Sequence, residues 1–345
     1  MLAVVTGTAG FVGSHLVDAL LARGATVRAV TRAGVRSTTP RDPRVTVHEM
    51  NLLDAASVRN SSVWDGATHV FHLGGVTKAR TADRFHTGNV VPTANIFGAL
   101  AGRTAPPRVI LVSSQAAAGP ARSADTPVRE DDAPQPIEAY GESKLAAERE
   151  AASHAGRVPF VIVRPSAVYG PRDRDFLQAF RQAAGRVALY ASPRDQAISI
   201  IHVTDLISGL IRSAEARDAA GRTYFLANET PVTWRTLYHE VSRAAGASPV
   251  EVQLPGALVG AAAWACDAAG AVTGMTTLLN RQKAVLTRPR WWICDASRAG
   301  RELAWAPRVP LQSGLFDTYH WYTRAGWMRG RKPSVAARSP EEPEA

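Results

Sequence analysis

The sequence predicts an α/β protein built on a doubly wound parallel sheet, with a smaller, mostly helical C-terminal lobe. In the first half of the chain, short apolar runs alternate with stretches whose apolar residues recur at helical spacing. A parallel sheet needs this alternation, because each strand regains its direction through a crossover helix. The second half is less regular and more helical. With 345 residues, of which 46% are hydrophobic and 20% charged, the chain can bury a core and is not disordered as a whole.

Each element follows from an apolar run bounded by glycine or polar residues. Leu2–Thr6 is predicted as a buried strand that runs into a glycine turn, and Phe11–Arg23 as a helix that stops at Gly24. The other predicted strands are Thr26–Thr31, Val45–His48, His69–Leu73, Val109–Ser113, Phe160–Arg164, Ile198–Val203 and Thr223–Ala227. The other predicted helices are Asn89–Arg103, Ala139–Ala155, Phe176–Ala184 and Trp234–Ala245.

These elements divide the chain into a sheet domain, a lobe and a tail. Residues 1–170, joined by later strands from 198–227, form the predicted sheet domain, and residues 171–197 and 228–330 form the lobe. The polar, proline-containing residues 331–345 are predicted to be a disordered tail. Within the lobe, Pro255–Leu279 is apolar with the single charge Asp267. Because this stretch is mostly Ala and Gly, and a central Asp is costly in a bilayer, we expect a soluble helix or helix pair and no membrane span.

A glycine-rich turn between the first strand and the first helix is the strongest local motif. Gly7 allows the tight turn, and Gly10 lets a pyrophosphate approach backbone N–H groups at the helix N-terminus. Gly13 permits close packing of the helix on the strand. The alternative is a tight turn that binds nothing. In this strand–turn–helix context the spacing predicts a dinucleotide site.

The end of the second predicted strand bears on which dinucleotide binds. NAD enzymes usually place an acid there to bind the ribose 2′-hydroxyl, whereas this strand ends in Thr31-Arg32. Arg32, with Arg36, is suited to pair with a 2′-phosphate. The sequence therefore slightly favours NADP(H) over NAD(H). The alternative is that Arg32 stacks on adenine or lies in solvent.

Tyr140 and Lys144 are four residues apart, which places them on one face of a predicted helix, one turn apart. A neighbouring ammonium stabilises a phenolate, so Lys144 is expected to lower the pKa of Tyr140 below its usual ~10. A Tyr-x-x-x-Lys pattern alone is common by chance. Its weight here comes from the preceding dinucleotide motif and from a strand that ends in Val112-Ser113-Ser114.

Taken together, these motifs resemble the extended short-chain dehydrogenases/reductases, the NAD(P)-dependent epimerase/dehydratase superfamily with a Rossmann nucleotide-binding domain. The resemblance covers nearly the whole chain, and the ending Trp321-Tyr322…Gly326-Trp327 is similar to the branch of 3β-hydroxysteroid dehydrogenases and dihydroflavonol reductases. The other matching blocks are Asn51-Leu52 with Asp54, His72-Leu73-Gly74-Gly75, Asn89, Ser113-Ser114, Arg164 to Pro171, and His202-Val203-Thr204-Asp205-Leu206.

The resemblance implies a role for each matched residue. Ser114 would hydrogen-bond the substrate oxygen, Tyr140 would be the general acid/base, and Lys144 would lower its pKa and bind ribose. With Arg32, the expected cofactor-binding residues are Gly7, Gly10, Phe11, Val12, Gly13, Asn51, Leu52, Leu73, Gly74, Gly75, Asn89, Tyr140, Lys144 and Pro165. Asn51 stands where the family commonly has Asp, and Gly74-Gly75 replace the usual alanines; both departures are mild.

Two further differences from the family pattern reduce the number of reactions expected for this chain. Sugar dehydratases of the superfamily carry an acidic pair after the hydroxyl residue, where this chain has Gln115 and Ala116, so water elimination by that route is not expected. Many nucleotide-sugar enzymes carry an arginine that clamps the diphosphate where this chain has Ile198. The substitutes that remain are Arg172, Arg174 and Arg194. We therefore predict hydride transfer between a nicotinamide cofactor and a hydroxyl or keto group of a small, hydrophobic, sterol-like or polycyclic substrate.

Three other functions stay open as alternatives: a nucleotide-sugar 4-epimerase, a non-catalytic dinucleotide-binding protein, and a nucleic-acid binder suggested only by the net charge of +10. The scattered arginines argue against a nucleic-acid partner.

Two cysteines, Cys266 and Cys294, exclude a disulfide framework and a four-cysteine zinc site. We expect no metal, a reducing cytoplasm, and a homodimer formed through the helices that carry Asn89 and Tyr140.

Overall fold

The computed structural model describes residues 1–34, 40–273 and 281–329, with side chains outside 267–283. The strands of the first half are β1 (Leu2–Thr6), β2 (Thr26–Thr31), β3 (Val45–Glu49), β4 (His69–His72), β5 (Arg108–Val112), β6 (Phe160–Pro165) and β7 (Ala167–Tyr169). The helices between them are α1 (Phe11–Ala22), α2 (Ala55–Arg59), α3 (Ala82–Ala101) and α4 (Ala139–Ser153). Short 3-10 turns lie at Ser62–Trp64 and Gln115–Ala117.

The second half mixes short strands with helices. Its strands are β8 (Val187–Tyr190), β9 (Ala197–Ile198), β10 (Ile200–His202), β11 (Thr223–Leu226), β12 (Val232–Thr233), β13 (Val250–Gln253) and β14 (Trp291–Trp292). Its helices are α5 (Leu177–Ala183), α6 (Val203–Glu215), α7 (Trp234–Ala244), α8 (Gly256–Thr273), α9 (Arg281–Leu286), α10 (Ser297–Leu303) and α11 (Leu311–Arg324). A further 3-10 turn spans Arg217–Ala219.

The main sheet confirms the predicted fold class. It has seven parallel strands in the order β3-β2-β1-β4-β5-β6-β11. Helices cover both faces, because alternate residues of each strand point to opposite cores: Val5 packs with α1 and α6, whereas Val4 packs with α2 and α3. The strand order reverses between β1 and β4, and such a reversal opens a crevice at the carboxyl ends of the strands.

One of the two later strands expected in this sheet lies elsewhere. β11 joins the main sheet beside β6, but the predicted strand at 198–203 is divided into β9 and β10, which belong to two small sheets. The division is at Ser199, whose N–H donates to the Trp292 carbonyl and whose carbonyl accepts from Ala167. The strand divides because its two parts pair with different neighbours. β9 pairs with β12 and β14, whereas β10 pairs with β7.

The apolar stretch at 255–279 forms α8 over Gly256–Thr273, while residues 274–279 lie outside the described part of the chain. Within the described ranges, we find no helix with the length and apolarity that a membrane crossing requires. The tail predicted to be disordered, 331–345, also lies outside those ranges.

Candidate active site

The glycine turn after β1 is shaped by close backbone contacts. Gly7 has a φ of +75°, and a Cβ there would lie 2.9 Å from the Gly74 nitrogen. A Cβ on Gly13 would lie 2.2 Å from the Gly7 carbonyl oxygen, so only glycine lets α1 begin this close to the strand. The residue before α1, Gly10, supplies no side-chain cap. The first N–H groups of α1, from Phe11 and Val12 on, therefore form a cradle that fits a pyrophosphate.

The loop after β4 lies against this turn. The Gly74 N–H donates to the Thr6 hydroxyl over 2.9 Å, and that hydroxyl is 2.8 Å from His72 Nδ1. A Cβ on Gly74 would lie 2.9 Å from the Thr6 Oγ1, which explains why glycine replaces the expected alanine there. Leu73 is half-buried beside it. Burial lowers the pKa of His72 to about 3, so this histidine is a neutral structural residue.

The Asn89 side chain hydrogen-bonds the loop that follows β4. Its side-chain Oδ1 accepts from the Val76 N–H at 2.7 Å, and its Nδ2 donates to the Val76 carbonyl at 3.0 Å and to the Ser143 hydroxyl at 2.8 Å. A Cβ on Gly75 would lie 2.6 Å from Oδ1, so the loop can pass over this amide only as glycine. The amide of Asn89 thus fixes the loop to α3 and to Ser143 of α4.

Residues expected near adenine lie at the ends of the next two strands. Arg32 is exposed directly after β2, and Asn51 is exposed shortly after β3. The Asn51 Oδ1 accepts from the Leu53 N–H at 3.1 Å, and the Leu52 carbonyl accepts from Asn95 at 2.9 Å. Because β1, β2 and β3 are parallel, these residues lie at the same carboxyl end of the sheet as the glycine turn. Residue 36, the second arginine considered for a 2′-phosphate, lies outside the described ranges.

Ser114, Tyr140 and Lys144 come from two neighbouring elements. Ser114 follows β5, and Tyr140 lies in the first turn of α4, whose cap residue Glu138 accepts from the Tyr140 and Gly141 N–H groups at 2.7 and 2.6 Å. A Cβ on Gly141 would lie 2.3 Å from the Ala116 carbonyl oxygen, so glycine lets α4 approach the turn after Ser114. The Lys144 Nζ donates to the Val112 carbonyl at 2.6 Å.

The protonation states of this group are set mainly by burial. Burial raises the pKa of Tyr140 to about 12, although the hydrogen bond from Ser114 opposes the shift. Burial lowers the pKa of Lys144 to about 8, although the Glu148 carboxylate opposes that shift. The expected lowering of the Tyr140 pKa is therefore not found for the protein alone, because desolvation of the phenolate exceeds the favourable interactions. At neutral pH Tyr140 holds a proton to donate.

A buried ion pair lies beside Ser113 and Lys144. The Glu148 carboxylate accepts from Arg164 Nε at 3.0 Å and Arg164 Nη2 at 2.7 Å, and it also accepts from the Ser113 hydroxyl. Both charged side chains are only 5% exposed. This pair is not among the residues expected from the sequence. The available signal was a glutamate one helical turn after Lys144, on the face that packs on the sheet.

A cavity of about 350 Å³ opens beside these residues. Ser114, Tyr140 and Pro165 belong to its lining, and the surface of the wall is largely apolar. The main apolar side chains are Phe85, Phe176, Ile198, Trp234, Leu286 and Trp292. Both indole N–H groups are used within the wall: Trp234 donates to Gln196 at 2.8 Å and Trp292 to the Leu286 carbonyl at 3.0 Å. The two tryptophans therefore present apolar rings to a ligand.

The arginines considered as a phosphate clamp lie outside this cavity wall. Arg172 pairs with Asp18 at 2.8 Å, and Arg174 lies over the Trp327 ring at 4.8 Å. Arg194 pairs with Glu251 at 3.4 Å. Lys78 is the one cation in the described cavity wall, and it pairs with Asp175. Among the described residues, no group of three or more His, Cys, Asp or Glu side chains is placed to hold a metal ion.

Known proteins are similar to this chain over most of its length. A family model described as the NAD dependent epimerase/dehydratase family matches residues 3–227. Ceramide reductase from Caulobacter vibrioides is 29% identical over 329 residues, covering 94% of this chain and 95% of that protein. A 4-hydroxy-2-methyl-3-oxo-4-farnesyl-3,4-dihydroquinoline-1-oxide ketoreductase from Stigmatella aurantiaca is 28% identical over 327 residues, covering 90% and 93%.

The solved UDP-glucose 4-epimerase of Thermotoga maritima has the same fold, with a TM-score of 0.76 at 20% identity, covering 94% of this chain and 99% of that one. The residues matched by the family model include the glycine turn, Ser114, Tyr140 and Lys144. The two relatives named above are reductases, which carry out oxidoreduction. The chain belongs to the NAD-dependent epimerase/dehydratase family and is an oxidoreductase of the extended short-chain type.

Proposed function

We propose that this enzyme reduces the carbonyl group of a small hydrophobic ketone, using a nicotinamide dinucleotide held at the glycine turn. The observation that carries the proposal is the cavity, whose lining brings the hydroxyl groups of Ser114 and Tyr140 together with aromatic and aliphatic side chains. Ile198 is 5% exposed within that wall, where a diphosphate would need a cation. A sterol-like or polycyclic ketone matches this lining better than a nucleotide sugar does.

Each catalytic residue then has a role that follows from its contacts. The Ser114 hydroxyl, next to Tyr140, orients the carbonyl oxygen. Tyr140, whose pKa of about 12 keeps it protonated at neutral pH, donates a proton to that oxygen as the carbonyl carbon gains the hydride. Lys144, anchored on the Val112 carbonyl, supplies positive charge beside the reacting oxygen. When bound, the reduced nicotinamide supplies the hydride, so ketone, reduced cofactor and proton give alcohol and oxidised cofactor.

The cofactor preference is part of the same proposal. The backbone of Phe11 and Val12 would meet the pyrophosphate at the open end of α1, and the exposed Arg32 would pair with a 2′-phosphate. This supports NADP(H) over NAD(H). Asn89 would act by positioning the loop at Gly75, since its amide is already bonded to Val76 and Ser143.

We also propose a reducing cytoplasmic setting and a homodimer. The free thiols of Cys266 and Cys294 and the need for a reduced dinucleotide support the first. The second would use α3 and α4, the helices that carry Asn89 and Tyr140. The nucleotide-sugar epimerase alternative would use the same tyrosine and lysine, but no arginine among those considered reaches the cavity wall.

The proposal is tested by Tyr140→Phe, with Tyr224→Phe as the matched control. Tyr224→Phe removes the same hydroxyl outside the cavity lining, where Tyr224 donates to Glu302 at 2.8 Å. With a panel of hydrophobic ketones, Tyr140→Phe is expected to lower kcat by ~10²–10⁴-fold, the usual contribution of a general acid. Dinucleotide-induced thermal shifts should persist in both variants. Ketone reduction retained in Tyr140→Phe would refute the assignment, and turnover of a UDP-sugar would favour the epimerase.

A further inference from the structure

Exposed large hydrophobic side chains are concentrated in one part of the lobe. Of the ten such side chains in the described residues, six belong to three elements that are consecutive or paired: β8, β13 and α8. They are Val187, Leu189, Val250, Val252, Leu258 and Trp264, and we call them the apolar patch. Soluble proteins rarely expose so many large apolar groups in neighbouring elements unless the surface binds something.

The strand part of the patch is the outer face of a two-stranded parallel ladder. Val250 pairs with Val187, and Val252 pairs with Leu189, so all four side chains point to the same side. The intervening residues of β8, Ala188 and Tyr190, are buried on the other side. The ladder therefore has one face on the core and one aliphatic face toward solvent.

The helical part begins two residues after β13. Helix α8 is held to the protein by Val259 and Ala263, which are four residues apart on one face and are 3% and 0% exposed. Leu258 and Trp264 are 59% and 63% exposed. Residues 256–266 include no charged side chain. A helix attached by a narrow stripe, with an exposed tryptophan and no charged residue before Asp267, is suited to the boundary between lipid and water.

We propose that the apolar patch docks this enzyme onto an anionic lipid bilayer. Exposed cations are close to the patch in the chain: Arg186 precedes β8, and Arg288 follows α9. The acid on the ladder, Glu251, is paired with Arg194, which offsets its charge. The net charge of +10 adds attraction to an anionic surface.

The docking surface also leads to the cavity. Helix α8 contacts α9, and the last residue of α9, Leu286, lines the cavity together with Thr287. A hydrophobic ketone dissolved in the bilayer would then enter beside Leu286 without crossing water. This part of the inference depends on the proposed function, whereas the lipid binding itself does not.

The test is flotation of the full chain with vesicles of phosphatidylglycerol and phosphatidylcholine, and with vesicles of phosphatidylcholine alone. We expect binding to the anionic vesicles, at least about tenfold weaker binding to the neutral ones, and weakening by salt. Trp264→Glu and Val250→Glu should each lower vesicle binding by about tenfold or more, because each puts a carboxylate at the bilayer contact. Val47→Glu is the matched control, since Val47 is 47% exposed on β3, outside the patch.

The readouts separate this inference from the proposed function. A short water-soluble ketone should be reduced equally by all three variants, and unchanged dinucleotide thermal shifts show that they are folded. Absence of binding to anionic vesicles, or equal binding by the patch variants and Val47→Glu, would overturn the inference even if reduction is observed. A dimer in light scattering that Trp264→Glu converts to a monomer would instead assign the patch to a second copy. Vesicle binding without reduction of any ketone would leave the docking surface and remove the proposed function.

Discussion

The buried pair of Glu148 and Arg164 gives the most quantitative prediction. In Glu148→Gln the Arg164 guanidinium, 5% exposed, would keep hydrogen-bond partners but lose its only close negative charge among the described residues. Breaking a buried ion pair at one end costs ~3 kcal/mol or more. At ~2.1 cal/mol/K per residue, the entropy of unfolding for 345 residues is about 0.7 kcal/mol/K. The thermal midpoint should therefore fall by about 4 °C.

The assay is thermal unfolding followed by a pH profile of ketone reduction. Because Glu148 raises the pKa of Lys144, its neutralisation should move the alkaline limb of kcat/KM to lower pH. Glu142→Gln, on the exposed face of the same helix, is the control and should change neither quantity by a comparable amount. The reasoning fails if Glu148→Gln leaves both the midpoint and the alkaline limb where they are. A double variant, Glu148→Leu with Arg164→Leu, should recover much of the lost stability, because an apolar pair leaves no buried charge.

Further predictions concern the cofactor site and the pH dependence. Gly13→Ala would place a Cβ 2.2 Å from the Gly7 oxygen and should abolish the dinucleotide thermal shift, whereas Gly98→Ala, with open space at that position, should retain it. Arg32→Ala should weaken NADP(H) binding by about tenfold and leave NAD(H) binding unchanged; equal effects on both, in fluorescence titrations, would contradict the 2′-phosphate assignment. For wild-type enzyme, kcat/KM of reduction should fall as pH rises through about 8, because Lys144 is charged below its lowered pKa and neutral above it; a profile flat to pH 10 would contradict a role for this charge.

Much of the site could be predicted because its signals are local. The glycine spacing indicates a turn whose close contacts all lie within a few residues or on one neighbouring strand. Tyr140 and Lys144 lie on adjacent turns of one helix. The sequence also indicated that Ile198 replaces a clamp arginine. The position of Ile198 in the cavity wall could not be predicted from the sequence. Ile198 belongs to β9, which pairs with β12 in a small sheet and not with the main sheet as expected.

The sequence by itself determined the alternation of strands and helices, the dinucleotide turn and the Tyr140–Lys144 pair, because each depends on a period or spacing within one element. Only the tertiary structure decided which distant groups meet. The Asn89 amide bonds Ser143, 54 residues away, and the apolar patch arises from the register of β8 on β13. The raised pKa of Tyr140 is also decided by the tertiary structure, because desolvation depends on everything packed around the phenol. The four-residue spacing in the sequence identifies only one neighbour of that phenol, Lys144.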